Sequence, residues 1–294
     1  MQKLRLFQVW LILLLLILNC SQQEKQGEPV IATSIYPLEM ITREIVDRDC
    51  QIVTLLPPKA SPHTFEATPA VVTSLLKSRL LIIVGSGLES WLQSAIERYK
   101  EKEDSKILVL TEGMELINLP NSSKPNPHIW LSVKSMKRAA RKINQAVSAL
   151  YPEKSADFAQ RTNAFVTRLD SLDTELQEMF APLKGESFFS FEPAWSYFVQ
   201  DYGLKEVGYL THNPAMQQGA SDIGKVLKRL ETKEIHTVFA QKQAPQSYVG
   251  SLAEEYNLKV IYLDPIGNPS DSCTDSYIEL IRYNAERIAK GLRE

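Results

Sequence analysis

The middle of the chain reads PEKSADFAQRTNAFVTRLDSLDTELQEMFAP over residues 152–182. No Gly or Pro interrupts it between the flanking prolines, and the residues of one face recur at steps of four and three: Phe158, Thr162, Phe165, Leu169, Leu172, Leu176 and Met179. This spacing predicts one amphipathic helix of about 28 residues, roughly 42 Å long at 1.5 Å per residue. A coiled coil between two chains is the alternative, but the pattern lasts only about four heptads and lacks an ordered charge code. We therefore predict a helix within one chain that joins two halves.

Strand-like and helix-like segments alternate on both sides of this helix. The predicted strands are 30–36, 51–56, 80–84 and 106–110, and then 187–191, 206–210, 235–240 and 258–263. Helical stretches begin near residues 37, 68, 90 and 132, and a second set covers 194–201, 221–230, 245–256 and 275–291. Four strands with crossover helices, found twice, predict an α/β fold of two (β/α)4-like lobes. The predicted domains are an N-terminal lobe (30–151), the linking helix (152–182) and a C-terminal lobe (183–294).

The first residues have the pattern of a bacterial export signal. Lys3 and Arg5 precede an apolar stretch over 6–18, which is short for a membrane span, and the stretch ends at Asn19-Cys20. Residues 17–20 resemble a lipobox, which predicts a signal peptide over 1–19, lipidation of Cys20 and a polar tether over 20–29. Asn19 departs from the usual small residue, so an uncleaved anchor or a different cleavage point stays open. We expect an exported protein in the periplasm or on the outer face of the cytoplasmic membrane, held there by a lipid anchor.

The charge argues against one class of partner, and the few cysteines argue against a disulfide. The chain has 33 basic and 35 acidic residues, and loss of Lys3 and Arg5 with the signal changes the net charge from −2 to 31 − 35 = −4. No block of basic residues remains, which argues against a nucleic-acid partner. Besides Cys20 there are only Cys50 and Cys273, which we expect to be free thiols in different lobes.

Four potential metal ligands, His63, His128, Glu192 and Asp264, each lie just beyond a predicted strand. In open α/β sheets ligands bind beyond the carboxyl ends of the strands, so this spread predicts one site in the cleft between the lobes. Two imidazoles and two carboxylates suit Mn(II), Fe(II) or Zn(II), and the lack of a thiolate argues against Cu(I). The alternatives are a helix cap for Glu192, a turn former for Asp264, and ordinary surface positions for the histidines.

Several segments together resemble one protein family. They are SPHTFEATP (61–69), GSGLESW (85–91), NPHIWL (126–131), AWSYF (194–198), YGL (202–204) and LDP (263–265). In this order they resemble the TroA-like solute-binding lipoproteins, the cluster A-I zinc and manganese receptors of ABC importers. The resemblance implies capture of one divalent transition metal ion (Mn²⁺, Fe²⁺ or Zn²⁺) as the transported ligand, and its delivery to the membrane permease. It also implies that His63 and His128 are ligands from the first lobe and that Glu192 and Asp264 are ligands from the second.

Three further residues belong to the predicted site. We expect Glu66 to orient its loop or cap the helix at Thr68, and Trp130 and Tyr197 to form the walls. His212 and His236 lack motif support and are interpreted as structural or surface residues, although the loop of His212 should face the cleft.

The identity of the metal depends on Glu192. Zinc-type relatives usually have His at this position and manganese-type relatives have Glu, yet residues 192–195 are otherwise similar to the zinc type. The loop over 111–126 contains no histidine, whereas many zinc receptors have a His-rich insertion. We favour Mn(II) or Fe(II) over Zn(II).

Two other function classes stay open, although we predict a monomeric protein that is not an enzyme. A two-His/carboxylate metalloenzyme would need an open coordination position, which Asp264 would fill, and no motif supplies a separate acid, base or nucleophile. A surface adhesin is the second alternative, but the sequence has no repeats or low-complexity arrays to support it.

Overall fold

The computed structural model describes residues 31–119, 122–211, 220–232 and 236–293. The predicted signal peptide (1–19), Cys20, the tether (20–29) and His212 lie outside these ranges. Within them, no helix combines the length and the apolar character needed to cross a bilayer.

The first four strands form a fully parallel sheet. They are β1 (Ile31–Thr33), β2 (Ile52–Thr54), β3 (Leu80–Ile83) and β4 (Lys106–Val109), in the spatial order β2-β1-β3-β4. Parallel neighbours need crossover connections, and the helices of this half are α1 (Tyr36–Val46), α2 (Pro69–Lys77), α3 (Gln93–Lys100) and α4 (Val133–Leu150). The winding direction reverses between β1 and β3, which makes the carboxyl ends of these strands one rim of a cleft.

The second half repeats this arrangement. Its parallel strands are β5 (Ser187–Ser190), β6 (Lys205–Tyr209), β7 (Thr237–Gln241) and β8 (Lys259–Leu263), in the order β6-β5-β7-β8. Its helices are α6 (Ser196–Asp201), α7 (Ala220–Glu231), α8 (Gln246–Tyr256) and α9 (Tyr277–Arg293). The prediction of two α/β halves is therefore confirmed. Since β7 lies between β5 and β8, residues that follow β7 can reach residues that follow either neighbour.

The long helix α5 (Ser155–Phe180) connects the two halves, and its 26 residues span roughly 39 Å. Single 3-10 turns precede and follow it, at Pro152–Lys154 and Ala181–Leu183, so the α-helix is shorter than the predicted 152–182. Both turns contain a proline, whose fixed φ and missing N–H fit the edge of a helix better than its interior. The buried face contains the predicted stripe except for the half-buried Met179, and it adds Val166 and Phe180. It packs on α1, α4 and α9 of the same chain.

One apolar cluster extends through both halves along α5. It includes Ile31 from β1, Phe165 and Leu172 from α5, Phe188 from β5 and Leu280 from α9. The adjacent strand residues point the other way, so that Ala32 and Phe189 belong to two smaller clusters on the outer faces of the sheets. The lobes thus share their main core.

Candidate metal centre

His63 and His128 meet between the loops of the first lobe. His63 lies in the loop between β2 and α2, and His128 lies in the loop between β4 and α4. Their Nε2 atoms are 3.2 Å apart. Two nitrogen ligands at about 2.0–2.1 Å from one tetrahedral ion would be separated by roughly 3.3 Å. The two side chains therefore already have the spacing of ligands to a single ion.

Asn126 fixes the orientation and protonation of His128. The Asn126 Oδ1 atom accepts hydrogen bonds from the backbone N–H (3.0 Å) and from Nδ1 (2.7 Å) of His128. Because Oδ1 can only accept, the proton lies on Nδ1, and the lone pair of Nε2 is directed to the side of His63. Burial, with a smaller contribution from the nearby His63, lowers the pKa of His128 well below its usual value. The imidazole is therefore neutral near pH 7 and can bind a cation.

The surroundings of His128 connect it to the second lobe. Asn126 Nδ2 donates to the carbonyl of Pro193 (2.9 Å), and the Tyr197 hydroxyl donates to the carbonyl of Asn126 (2.7 Å). The Trp130 ring lies 5.0 Å from the His128 ring, and its Nε1 donates to the carbonyl of Pro265 (2.8 Å). These bonds join His128 to the two segments that contain Glu192 and Asp264.

The predicted role of Glu66 has less support. This side chain is exposed, and the cap of α2 comes from Thr68, whose Oγ1 accepts from the backbone N–H of Val71 at 3.4 Å. His236 is exposed as well and lies at the start of β7, at the opposite end of the strand from Gln241.

Glu192 follows β5 at the point where the second sheet reverses its winding. It is 5% exposed, and its Oε2 accepts a hydrogen bond of 2.7 Å from Gln241 Nε2, at the end of the neighbouring strand β7. Burial raises the pKa of Glu192 to about 7, although the Gln241 bond acts in the opposite direction. The carboxylate is thus held in a place where its charge is costly unless a cation compensates it.

Asp264 follows β8 and is firmly oriented. It is 4% exposed, and its Oδ1 accepts from the backbone N–H groups of Ile266 (3.2 Å) and Gly267 (2.8 Å). Asn284 on α9 fixes the backbone of Asp264, accepting from its N–H and donating to its carbonyl. The other carboxylate oxygen, Oδ2, lies 3.5 Å from Lys242 Nζ.

The structure brings the four predicted ligands together only in part. The histidines touch each other, while Glu192 is bonded to Gln241 and Asp264 is paired with Lys242. In the described part of the chain, no group of three or more His, Cys, Asp and Glu residues is arranged closely enough to hold a metal ion. The complete set of four ligands stays a prediction.

Sequence reasoning missed the residues that hold these ligands, namely Asn126, Gln241, Lys242 and Asn284. Asn126 stands two residues before His128 within a segment already singled out, and a buried metal-binding imidazole usually needs a partner for its second nitrogen. Gln241 and Lys242 stand at the carboxyl end of β7, where the rule used for the four ligands also applies. Their amide and ammonium groups are not among the metal-ligand types, so the ligand pattern does not single them out.

The buried carboxylate makes a prediction about stability in the metal-free protein. Glu192 has a folded pKa of about 7, above the ordinary 4.5, so its contribution to stability is fully present below about pH 4.5 and is lost as the pH rises through 7. Glu192→Gln keeps the shape but cannot ionise. We expect this variant to match the wild type near pH 4.5 and to exceed it by up to roughly 3 kcal/mol at pH 8.

Urea unfolding in the presence of a chelator, at both pH values, measures this difference. Comparing the two proteins cancels the titration of the other carboxylates. A difference in the free energy of unfolding that does not change with pH would show that ionisation of Glu192 does not destabilise the fold.

Comparisons with known proteins agree with this architecture. The family model described as "ZnuA: Zinc-uptake complex component A periplasmic" matches residues 31–291. The high-affinity zinc uptake system protein ZnuA of Haemophilus ducreyi is 26% identical over 90% of this chain and 93% of its own. The manganese ABC transporter substrate-binding lipoprotein PsaA of Streptococcus mitis is 23% identical over 99% of both chains. Among solved structures, the periplasmic zinc-binding protein TroA from Treponema pallidum superposes with a TM-score of 0.81 at 20% identity, covering 90% of this chain and 99% of that one.

Proposed function

Because the chain belongs to the ZnuA family of periplasmic zinc-uptake components, we propose that it is the metal receptor of an ABC importer. In this role it binds a divalent transition metal ion outside the cytoplasm and delivers it to the membrane permease. The observation that carries the proposal is the pair of Nε2 atoms 3.2 Å apart, one of them on a buried and neutral imidazole. The relatives described above are named as parts of transport systems, which supports a binding role and not an enzymatic one.

The proposed ligands are His63, His128, Glu192 and Asp264. The histidines supply two neutral donors and the carboxylates supply two negative charges, which together balance a divalent ion. Enclosing such an ion in a site whose ligands are nearly all buried then costs little electrostatic energy, because the bound unit is neutral overall. The side chains of Gln241 and Lys242 have to move partly away from the two carboxylates when the ion binds.

For the transported ion, we infer a preference for Mn(II) or Fe(II) over Zn(II). Glu192 can bind with one or both oxygens, which permits the five or six contacts that these ions accept, whereas Zn(II) commonly takes four. Lipid anchoring at Cys20 is part of the same proposal, since the relative from Streptococcus mitis is named a lipoprotein.

Thermal melting of chelator-treated protein tests the function. A ligand that binds only the folded state stabilises it by about 2.7 kcal/mol at a concentration 100 times its Kd, so Mn(II), Fe(II) under anoxic conditions, or Zn(II) should raise the Tm. Mg(II) is the control, because it prefers oxygen ligands and retains its water. A Tm indifferent to all three transition metals would remove the proposal, and a deletion strain that takes up metal normally would contradict the transport role.

Loss of Asn126 is expected to weaken metal binding without removing a ligand. In Asn126→Ala, His128 loses the acceptor for Nδ1–H, and partners of this kind commonly contribute 10- to 100-fold to metal affinity. Competition titration against a fluorescent chelator measures the Kd. Asn163→Ala, at an exposed position of α5, is the matched control. An Asn126→Ala affinity equal to that of the control would show that the bond to His128 has no role in binding.

A further inference from the structure

The carboxyl end of β7 contacts both predicted carboxylate ligands, Glu192 and Asp264. Gln241 donates to Glu192 Oε2 at 2.7 Å, and the next residue, Lys242, places its Nζ 3.5 Å from Asp264 Oδ2. This follows from the sheet order, because β5, which precedes Glu192, and β8, which precedes Asp264, are the two neighbours of β7. Consecutive residues at the end of β7 therefore reach opposite sides of the same site.

The ammonium of Lys242 faces the oxygen of Asp264 that a metal would use. Asp264 Oδ1 is already engaged by two backbone N–H groups, and the side chain is 5% exposed. Asn284 also holds the backbone of Asp264, and a turn of the carboxylate to present Oδ1 would break the bonds to Ile266 and Gly267. If a metal ion bound through Oδ2, the ion and the Lys242 ammonium would be two cations only a few ångströms apart. Charges this close repel each other strongly in a buried site.

Lys242 also has favourable surroundings other than Asp264. Its side chain is 39% exposed, whereas that of Asp264 is almost fully buried. The ammonium lies 4.8 Å from the centre of the Tyr283 ring, a distance at which the ring face attracts a cation. A flexible side chain with access to solvent and to an aromatic ring can leave the carboxylate without losing all of its favourable contacts.

We propose that the Lys242 ammonium competes with the transported ion for the Asp264 carboxylate. The ammonium neutralises Asp264 while the site is empty and withdraws when the metal binds. The protein therefore binds metal less tightly, and releases it faster, than the four ligands alone would allow. This inference rests on the proposed receptor function, in which an ion that cannot be released cannot be delivered.

The substitution Lys242→Met tests the proposal, because it keeps the length of the side chain and removes the charge. We expect Zn(II) and Mn(II) to bind on the order of fivefold more tightly, which is the most that a partly exposed ion pair usually contributes. Release into excess chelator, followed by stopped flow, should slow by a similar factor. Lys242→Arg keeps the charge, so its Kd should stay close to that of the wild type. Raising the salt concentration should reduce the difference in Kd between Lys242→Met and the wild type.

A matched control and the sign of the effect separate the outcomes. Lys290→Met makes the same change of charge at an exposed position of α9 and should leave the Kd unchanged. If Lys242 only held Asp264 in position, Lys242→Met would bind metal more weakly, and this result or an unchanged Kd would overturn the proposal while leaving the receptor function intact. If neither the wild type nor any variant bound Zn(II) or Mn(II), the receptor function itself would fail.

Discussion

Alanine at His63 or His128 is expected to raise the Kd for Mn(II) and Zn(II) by more than about 100-fold. The estimate is a lower bound, because loss of a residue that merely supports a ligand already costs 10- to 100-fold. His63 is half-buried in a loop, so His63→Ala should leave the metal-free fold intact. His128 is 1% exposed, and its replacement leaves a cavity, so His128→Gln is the better variant for keeping the core filled.

Calorimetric or competition titration of each variant measures the loss, and circular dichroism of the metal-free protein checks the fold. His236→Ala makes the same substitution at an exposed position at the start of β7 and should bind like the wild type. A folded His63→Ala variant with wild-type affinity would exclude the histidine pair as the centre of the site.

Glu192→His is expected to shift the metal preference toward Zn(II) by about tenfold or more relative to Mn(II). Three imidazoles and one carboxylate form a set close to that of familiar tetrahedral zinc sites, and the carboxylate that could supply a fifth or sixth contact is gone. The wild type can still bind Zn(II) tightly in solution, since the Irving–Williams order favours Zn(II) over Mn(II) at most sites. The informative quantity is therefore the ratio of the two affinities.

Competition titrations in one buffer give this ratio for both proteins. Glu178→His adds a histidine at an exposed position of α5 and controls for weak surface binding of Zn(II). An unchanged ratio in Glu192→His would mean that Glu192 does not set selectivity, and the preference for Mn(II) or Fe(II) would lose its support.

The sequence predicted the elements of the fold better than their arrangement. The eight strands in the described part of the chain and the long helix agree with the prediction, because buried parallel strands are short apolar runs and the stripe on α5 has a helical period. The ends were less accurate: the helix predicted over 194–201 begins at Ser196 after a 3-10 turn over Pro193–Trp195. Such turns have nearly the same local sequence preferences as the first turn of an α-helix, so the residue pattern does not separate them.

The site shows the same division between local and distant information. The ligand candidates could be proposed because each lies just beyond a predicted strand and because the segments near them together resemble one family. The bond between Glu192 and Gln241 could not, since 49 positions separate the two residues and only the order β5-β7 makes them neighbours. Lys242 was missed for a further reason: an ammonium cannot bind a metal, so its importance appears only when its distance to Asp264 is known.

The apolar cluster that runs from β1 through α5 to α9 gives the two lobes a shared interior. The buried face of α5 packs on α1 and α4 from the first half and on α9 from the second, so neither half covers the whole face alone. A cut at the end of α5 would leave that surface open to water in both fragments, which favours aggregation over independent folding. An ion bound at the cleft therefore stabilises a fold whose two halves share their interior, and the midpoint of thermal melting should rise with the occupancy of the site.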